Sequence, residues 1–169
     1  RFQIDAKQSA YVGTNASKIF DVLKPIHNLD EKYKTLLVVA SKLHSIGTTL
    51  NFYKSNDNAF EFILNGLSYD FFHSSRVIVA YILKFSKKSL PRQRDLEEYE
   101  ELLPSLDTMQ WLSFMIALNL AVNIDFSRPK VKYVLLNNTL HLELPNKSFL
   151  VESYIEKLEL PQKLFLEIL

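Results

Sequence analysis

The stretch KFSKKSLPRQR carries Lys84, Lys87, Lys88, Arg92 and Arg94 within eleven residues. Lysine offers mobile point charges and arginine a planar fork of donors, and both suit phosphate oxygens. A linear polyanion held by several such groups binds with steep salt dependence, because each contact releases condensed counterions. The opposing reading is local: the acidic run DLEEYEE follows at once and could neutralise the loop.

A second candidate is His44, at the end of the apolar helical run in ASKLHSIG. Helical metal-dependent phosphohydrolases of the HD type place a His-Asp pair at such a point, and the remaining His and Asp ligands converge from other helices. Here Ser45 follows the histidine. The other histidines lack a Ser or Cys partner in a triad or elbow arrangement. His27 reads as a loop residue on the surface, and His141 as an outward residue of a hairpin. His73 stands in FFHSSR, where Arg76 and two serines suggest the polar face of a helix start.

The elements that must position these groups are mostly helical. Asp5 could cap a helix running to about Leu23 on the stripe Ala10, Val12, Ala16, Ile19, Phe20 and Leu23, with Pro25 ending it. Asp30 is placed to cap a second helix, whose face is Tyr33, Leu36, Leu37, Ala40, Leu43 and His44, and Gly47 to stop it. SNDNAFEFILNG predicts a short helix, SYDFFHSSRVIVAYILKFSKK a long apolar one and RDLEEYEELLPS a short acidic one. LDTMQWLSFMIALNLAVNIDFSR is nearly all apolar, which places it at the centre of the core. After Pro129, two alternating runs flank Asn137-Asn138-Thr139 and predict a hairpin. SFLVESYIEKL and PQKLFLEIL read as two short terminal helices, the second with Pro161 in its first turn. The expected architecture is thus mainly α: a helical domain over 1–128, then a β-hairpin and helical tail over 129–169, packed on the same domain.

In this order and spacing, LLVVASKLHSIG, AFEFILNGLSYDFFHSSRVIVAYILKFSKK and LNLAVNIDFSR resemble the C-terminal region of the exopolyphosphatase/guanosine pentaphosphate phosphohydrolase family. The resemblance covers roughly residues 5–128 and extends loosely over the tail. It implies an all-α, HD-like domain that follows two actin-like domains carrying the phosphatase chemistry. The expected role is therefore an accessory one. The domain would help bind polyphosphate or guanosine pentaphosphate in a parent enzyme that uses Mg²⁺, and would help form a homodimer. It would supply no catalytic residue and no cofactor site of its own. The family's ligand positions fall at Gln8, His44, Ser45, Asn56, Asn58, Ser86 and Asp125, so only a histidine and an aspartate of the metal set are kept. Asp125 is then expected to cap a turn or pair with Arg128. The resemblance also puts the Lys84–Arg94 segment near the substrate channel.

Bulk properties narrow the classes further. The 169 residues are 47% hydrophobic, enough for one domain with a core. Three glycines and no G-x-G-x-x-G or Walker pattern argue against a Gly-rich phosphate loop. The absence of cysteine excludes thiolate metal sites and Cys nucleophiles, and suits a cytoplasmic protein. No apolar run reaches the ~20 residues of a membrane span. A net charge of +1 gives no ground to expect nucleic acid as a partner. The chain begins with Arg1 and no signal-peptide pattern follows, which suggests a piece of a longer protein. Two other functions stay open at this stage, a stand-alone HD phosphohydrolase and a protein-interaction module without a phosphate ligand.

Overall fold

The computed structural model describes residues 6–49 and 73–169. Helix α1 (Ala6–His27) buries Val12, Ala16, Ile19, Phe20 and Leu23 along one stripe. Ala10, expected on that stripe, is exposed, and Gln8 and Asn15 are buried instead. The expected stop at Pro25 is also corrected, since the helix continues through it to His27. Proline lacks the N–H that would bond the carbonyl four residues back. The last turn is held all the same: Asn28 N–H bonds the Lys24 carbonyl, and His27 is buried.

Asp30 caps α2 (Glu31–Thr49), its carboxylate accepting the Lys32 N–H at 2.9 Å. This helix runs past Gly47, so that residue does not end it. A helix interior accepts glycine at a cost of about 1 kcal/mol relative to alanine. Leu36, Leu37 and Ala40 face the core. The helix expected over 55–66, with Asn56 and Asn58, lies outside the described residues.

Helix α3 (His73–Lys84) buries every residue from Val77 to Leu83. The acidic segment is a 3₁₀ helix, Gln93–Leu102, kinked at Tyr99 and anchored by buried Leu96. Ser105 then caps α4 (Leu106–Val122) by accepting the Thr108 N–H. Apart from its first turn and a few side positions, α4 is buried all round, and it meets α1, α2, α3 and the later α5 (Phe149–Glu156). The expected central helix is therefore central.

Strands β1 (Lys132–Leu136) and β2 (Thr139–Glu143) form the predicted antiparallel hairpin. Asn137 and Asn138 fill its two-residue turn with φ of 50° and 64°, a left-handed conformation that asparagine tolerates. The last segment departs from expectation: PQKLFLEIL is not a helix. Residues Phe165–Ile168 form β3, which adds to β2 in parallel and completes a three-stranded sheet in the order β1-β2-β3. Exposed Phe165 and Glu167 alternate with half-buried Leu166 and Ile168, a period of two that matches a strand. The open edge of β2 decided the matter by offering backbone partners: Phe165 N–H bonds the Asn138 carbonyl and Leu169 N–H that of Leu142. Val131, Leu140, Leu142, Val151, Ile155, Leu158 and Leu164 share one apolar core with the helices, so the hairpin and tail join the helical body.

Candidate functional site

Two cavities lie side by side along α4, and both are lined by His44, Leu120 and Ile124. The smaller, of about 180 Å³, adds Gln8, Val12, Ser45, Asn123 and Phe126. The larger, of about 450 Å³, adds Ser86, Lys87, Lys88, Ser89 and Tyr154 over a floor of Ala117, Ala121 and Leu158. Residues scattered over 150 positions of sequence thus meet beside one helix. Gln8, His44, Ser45 and Ser86, four positions singled out in sequence, all line this pair of cavities. Asp125 does not. It is exposed, and its carboxylate accepts the Ser127 N–H at 3.1 Å and the Ser127 hydroxyl at 2.7 Å. That hydroxyl bond holds its pKa below the ordinary carboxylate value. Asp125 therefore caps a turn, and the backbone N–H of Arg128 donates to Asn123 Oδ1 at 2.7 Å.

The polar groups of the smaller cavity are largely committed to the fold. Gln8 Nε2 donates to the Phe126 carbonyl, and Gln8 Oε1 accepts from Asn123 Nδ2 at 2.7 Å. Burial pushes the His44 pKa down to about 4, so its imidazole is neutral at pH 7. Among the described residues the donors here are one imidazole, two mutually bonded amides and serine hydroxyls, with no carboxylate. Such a set does not fit a divalent metal ion, which needs charged oxygen or several imidazole ligands.

The larger cavity has a different character. Ser86 lies just past the end of α3, with its hydroxyl donating to the Leu83 carbonyl at 2.7 Å. The loop that follows is tied down along its length by the tail. Glu159 N–H donates to the Lys88 carbonyl, and the Glu159 carboxylate accepts the Leu90 N–H at 2.9 Å and Arg92 Nη2 at 2.7 Å. Burial raises the Glu159 pKa, but these two donors outweigh it and leave the group below its ordinary value. Gln110 fixes the loop from α4 by donating to the Pro91 carbonyl. A fixed loop presents Lys87 and Lys88 at the cavity mouth. Both are exposed, and among the described residues neither meets a carboxylate.

The five cations of this segment are therefore not equivalent. Lys87 and Lys88 line the cavity. Arg92 is paired with Glu159, an acid from the far tail rather than from the neighbouring DLEEYEE run. Lys84 is half-buried, with Nζ just under 6 Å from the Tyr81 and Phe85 rings. Arg94 is exposed on the 3₁₀ helix and lines neither cavity.

His27 needs correction as well. It is buried at 6% exposure, with Nε2 2.9 Å from the Phe20 carbonyl and Nδ1 accepting the Leu29 N–H. His27 is the last residue of α1, and its ring packs inward against Phe20 and Trp111 at the α1–α2 corner. Tyr154 and Glu159 were not foreseen in the sequence. Neither sits in a motif, and a single acid in KLELPQK carries no signal. Asn119 and Asn123 did offer one, as polar residues four apart on an otherwise apolar helix.

Among the described residues no helix is long and apolar enough to cross a membrane. The family model described as Ppx/GppA phosphatase, domain III, matches residues 1–163. No curated protein matches the chain.

Proposed function

The chain belongs to the Ppx/GppA phosphatase family as its domain III, and on that premise we propose that it is an accessory domain that binds the polyanionic substrate without catalysing its hydrolysis. The ligand is polyphosphate or guanosine pentaphosphate. The parent enzyme would cleave the phosphoric anhydride on upstream actin-like domains, with Mg²⁺, in the cytoplasm, and a homodimer of the parent would extend the binding channel. One observation supports this reading most: Lys87 and Lys88 stand at the mouth of a cavity, on a loop fixed by Glu159 and Gln110, with no carboxylate beside them among the described residues.

The chemistry available in the cavity fits binding better than turnover. His44 is neutral at pH 7 and shares the cavity linings with Ser45 and Ser86, and among the described residues those linings hold no carboxylate. A stand-alone metal phosphohydrolase is disfavoured for the same reason.

The test is a titration of the chain with long-chain polyphosphate at two salt concentrations. Affinity should fall with salt, and Lys87→Ala/Lys88→Ala should lower the salt slope by roughly 1 to 2, the share of two phosphate contacts on a single-stranded polyanion. Arg94→Ala should leave the slope unchanged. Equal affinity of the double variant and the parent sequence would remove these lysines from the site. Hydrolysis of polyphosphate by the chain alone, with Mg²⁺, would overturn the accessory reading.

A further inference from the structure

The walls of the larger cavity do not match a bare inorganic chain. Lys87 and Lys88 supply cations at one side only, while Leu120, Ala121, Ile124 and Leu158 make the floor apolar. Inorganic polyphosphate has no apolar surface, so it gains nothing from that floor and would lose hydration against it. A ligand with phosphates at one end and a flat, weakly polar ring at the other uses both parts. An aromatic face is ready for such a ring: Tyr154 lines the same cavity, and Lys88 Nζ lies 4.6 Å from its ring centroid. Tyr154 is half-buried on α5, so part of its ring remains accessible.

We propose that this cavity selects a nucleotide over inorganic polyphosphate, with Lys87 and Lys88 taking the phosphates and Tyr154 stacking on the base. The inference rests on the phosphate-binding reading above and narrows its ligand class. In the unliganded chain the Lys88 ammonium covers the ring through a cation–π contact. Phosphate would draw the ammonium off the ring toward the cavity mouth, and the base would take its place on the aromatic face. The swap exchanges one weak contact for a charge-assisted bond and a stacked pair, and no bond is made or broken. A volume of about 450 Å³ lies within the range of small-molecule sites.

The experiment measures binding of GTP, ATP and inorganic tripolyphosphate to the whole chain by calorimetry, without added metal. The three carry the same number of phosphates, so the nucleoside is the variable. The nucleotides should bind roughly tenfold more tightly, the scale of one base–aromatic stack. Tyr154→Ala should remove that difference and leave tripolyphosphate affinity unchanged, while Tyr154→Phe, which keeps the aromatic face, should retain it. Circular dichroism of both variants separates loss of stacking from loss of fold. Equal affinity for all three ligands, or a difference that survives Tyr154→Ala in a folded protein, overturns the nucleotide inference and leaves the phosphate-binding reading standing. No binding of any of the three, or of long-chain polyphosphate, overturns both.

Discussion

Two polar clusters flank α4, and they are built on opposite plans. Around Asn119 the groups are buried and paired. Its Oδ1 accepts from Asn15 at 2.9 Å, and its Nδ2 donates to the Val12 carbonyl and to Ser41 Oγ. Asn15 Oδ1 also accepts the Tyr133 hydroxyl, so the cluster ties α1, α2, α4 and β1 together. Around the larger cavity the backbone is just as firmly bonded, but Lys87 and Lys88 reach solvent without an acid beside them among the described residues. The contrast shows where the fold invests its hydrogen bonds. A polar group sealed in the core is costly unless satisfied, so Asn119 needs its partners. A lysine at a cavity mouth is solvated by water and keeps its charge available to an anion.

That comparison can be broken most sharply at Asn119. Asn119→Ala should strand the Asn15 amide and the Ser41 hydroxyl and destabilise the chain by about 3 kcal/mol in urea unfolding. Lys87→Ala, at the exposed cluster, should stay within about 0.5 kcal/mol of the parent sequence. A loss at Asn119 no larger than that at Lys87 would mean that the buried cluster does not hold the helices together.

A pH series sharpens the boundary between the two regions. Burial keeps His44 neutral in the folded chain down to about pH 4, against an ordinary value of 6.5. His27 is shifted in the same direction, first by burial and then by Lys24, against the opposing pull of the Phe20 carbonyl. The unfolded chain therefore binds more protons than the folded one between these values. Stability should be whole above pH 6.5 and fall as pH drops toward 4. His44→Gln should flatten that slope when unfolding is followed from pH 7 to pH 4. An unchanged slope would show that His44 meets more water than its place between the cavities suggests.

The smallest expected effect concerns the tail. Glu159→Gln weakens the Arg92 pair at a partly exposed site, for about 1 kcal/mol or less of stability. Its larger consequence should be functional, a several-fold weaker grip on polyphosphate as the Lys87–Lys88 loop loosens. Full affinity in this variant would show that Gln110 and the α3 end hold the loop without help from Glu159.

The legible parts of this protein are those with strong local patterns. The apolar stripes of α1 and α2, the near-continuous burial of α4 and the Asn137-Asn138 turn could all be read from neighbours in sequence. The misread parts are those in which a distant partner overrides a local signal. Pro25 and Gly47 look like stops, yet both helices continue past them. PQKLFLEIL has helix-like composition, yet the free edge of β2 draws it into a strand. His27 has a loop neighbourhood, and only the α1–α2 corner seals it from water.

By itself the sequence determined that the chain is mainly helical, that its late apolar helix is the centre, and that a hairpin follows. Periodicity and turn chemistry act over a few residues and need no knowledge of the rest. It also supplied the five cations as a group. Only the tertiary structure decided which of them border a cavity. Glu159, some seventy residues downstream of Lys88, removes Arg92 by pairing with it, and Tyr154 and His44 complete the cavity that Lys87 and Lys88 border. Charge is written in the chain residue by residue, but whether a charge is neutralised or available depends on what the fold brings within a few ångströms of it.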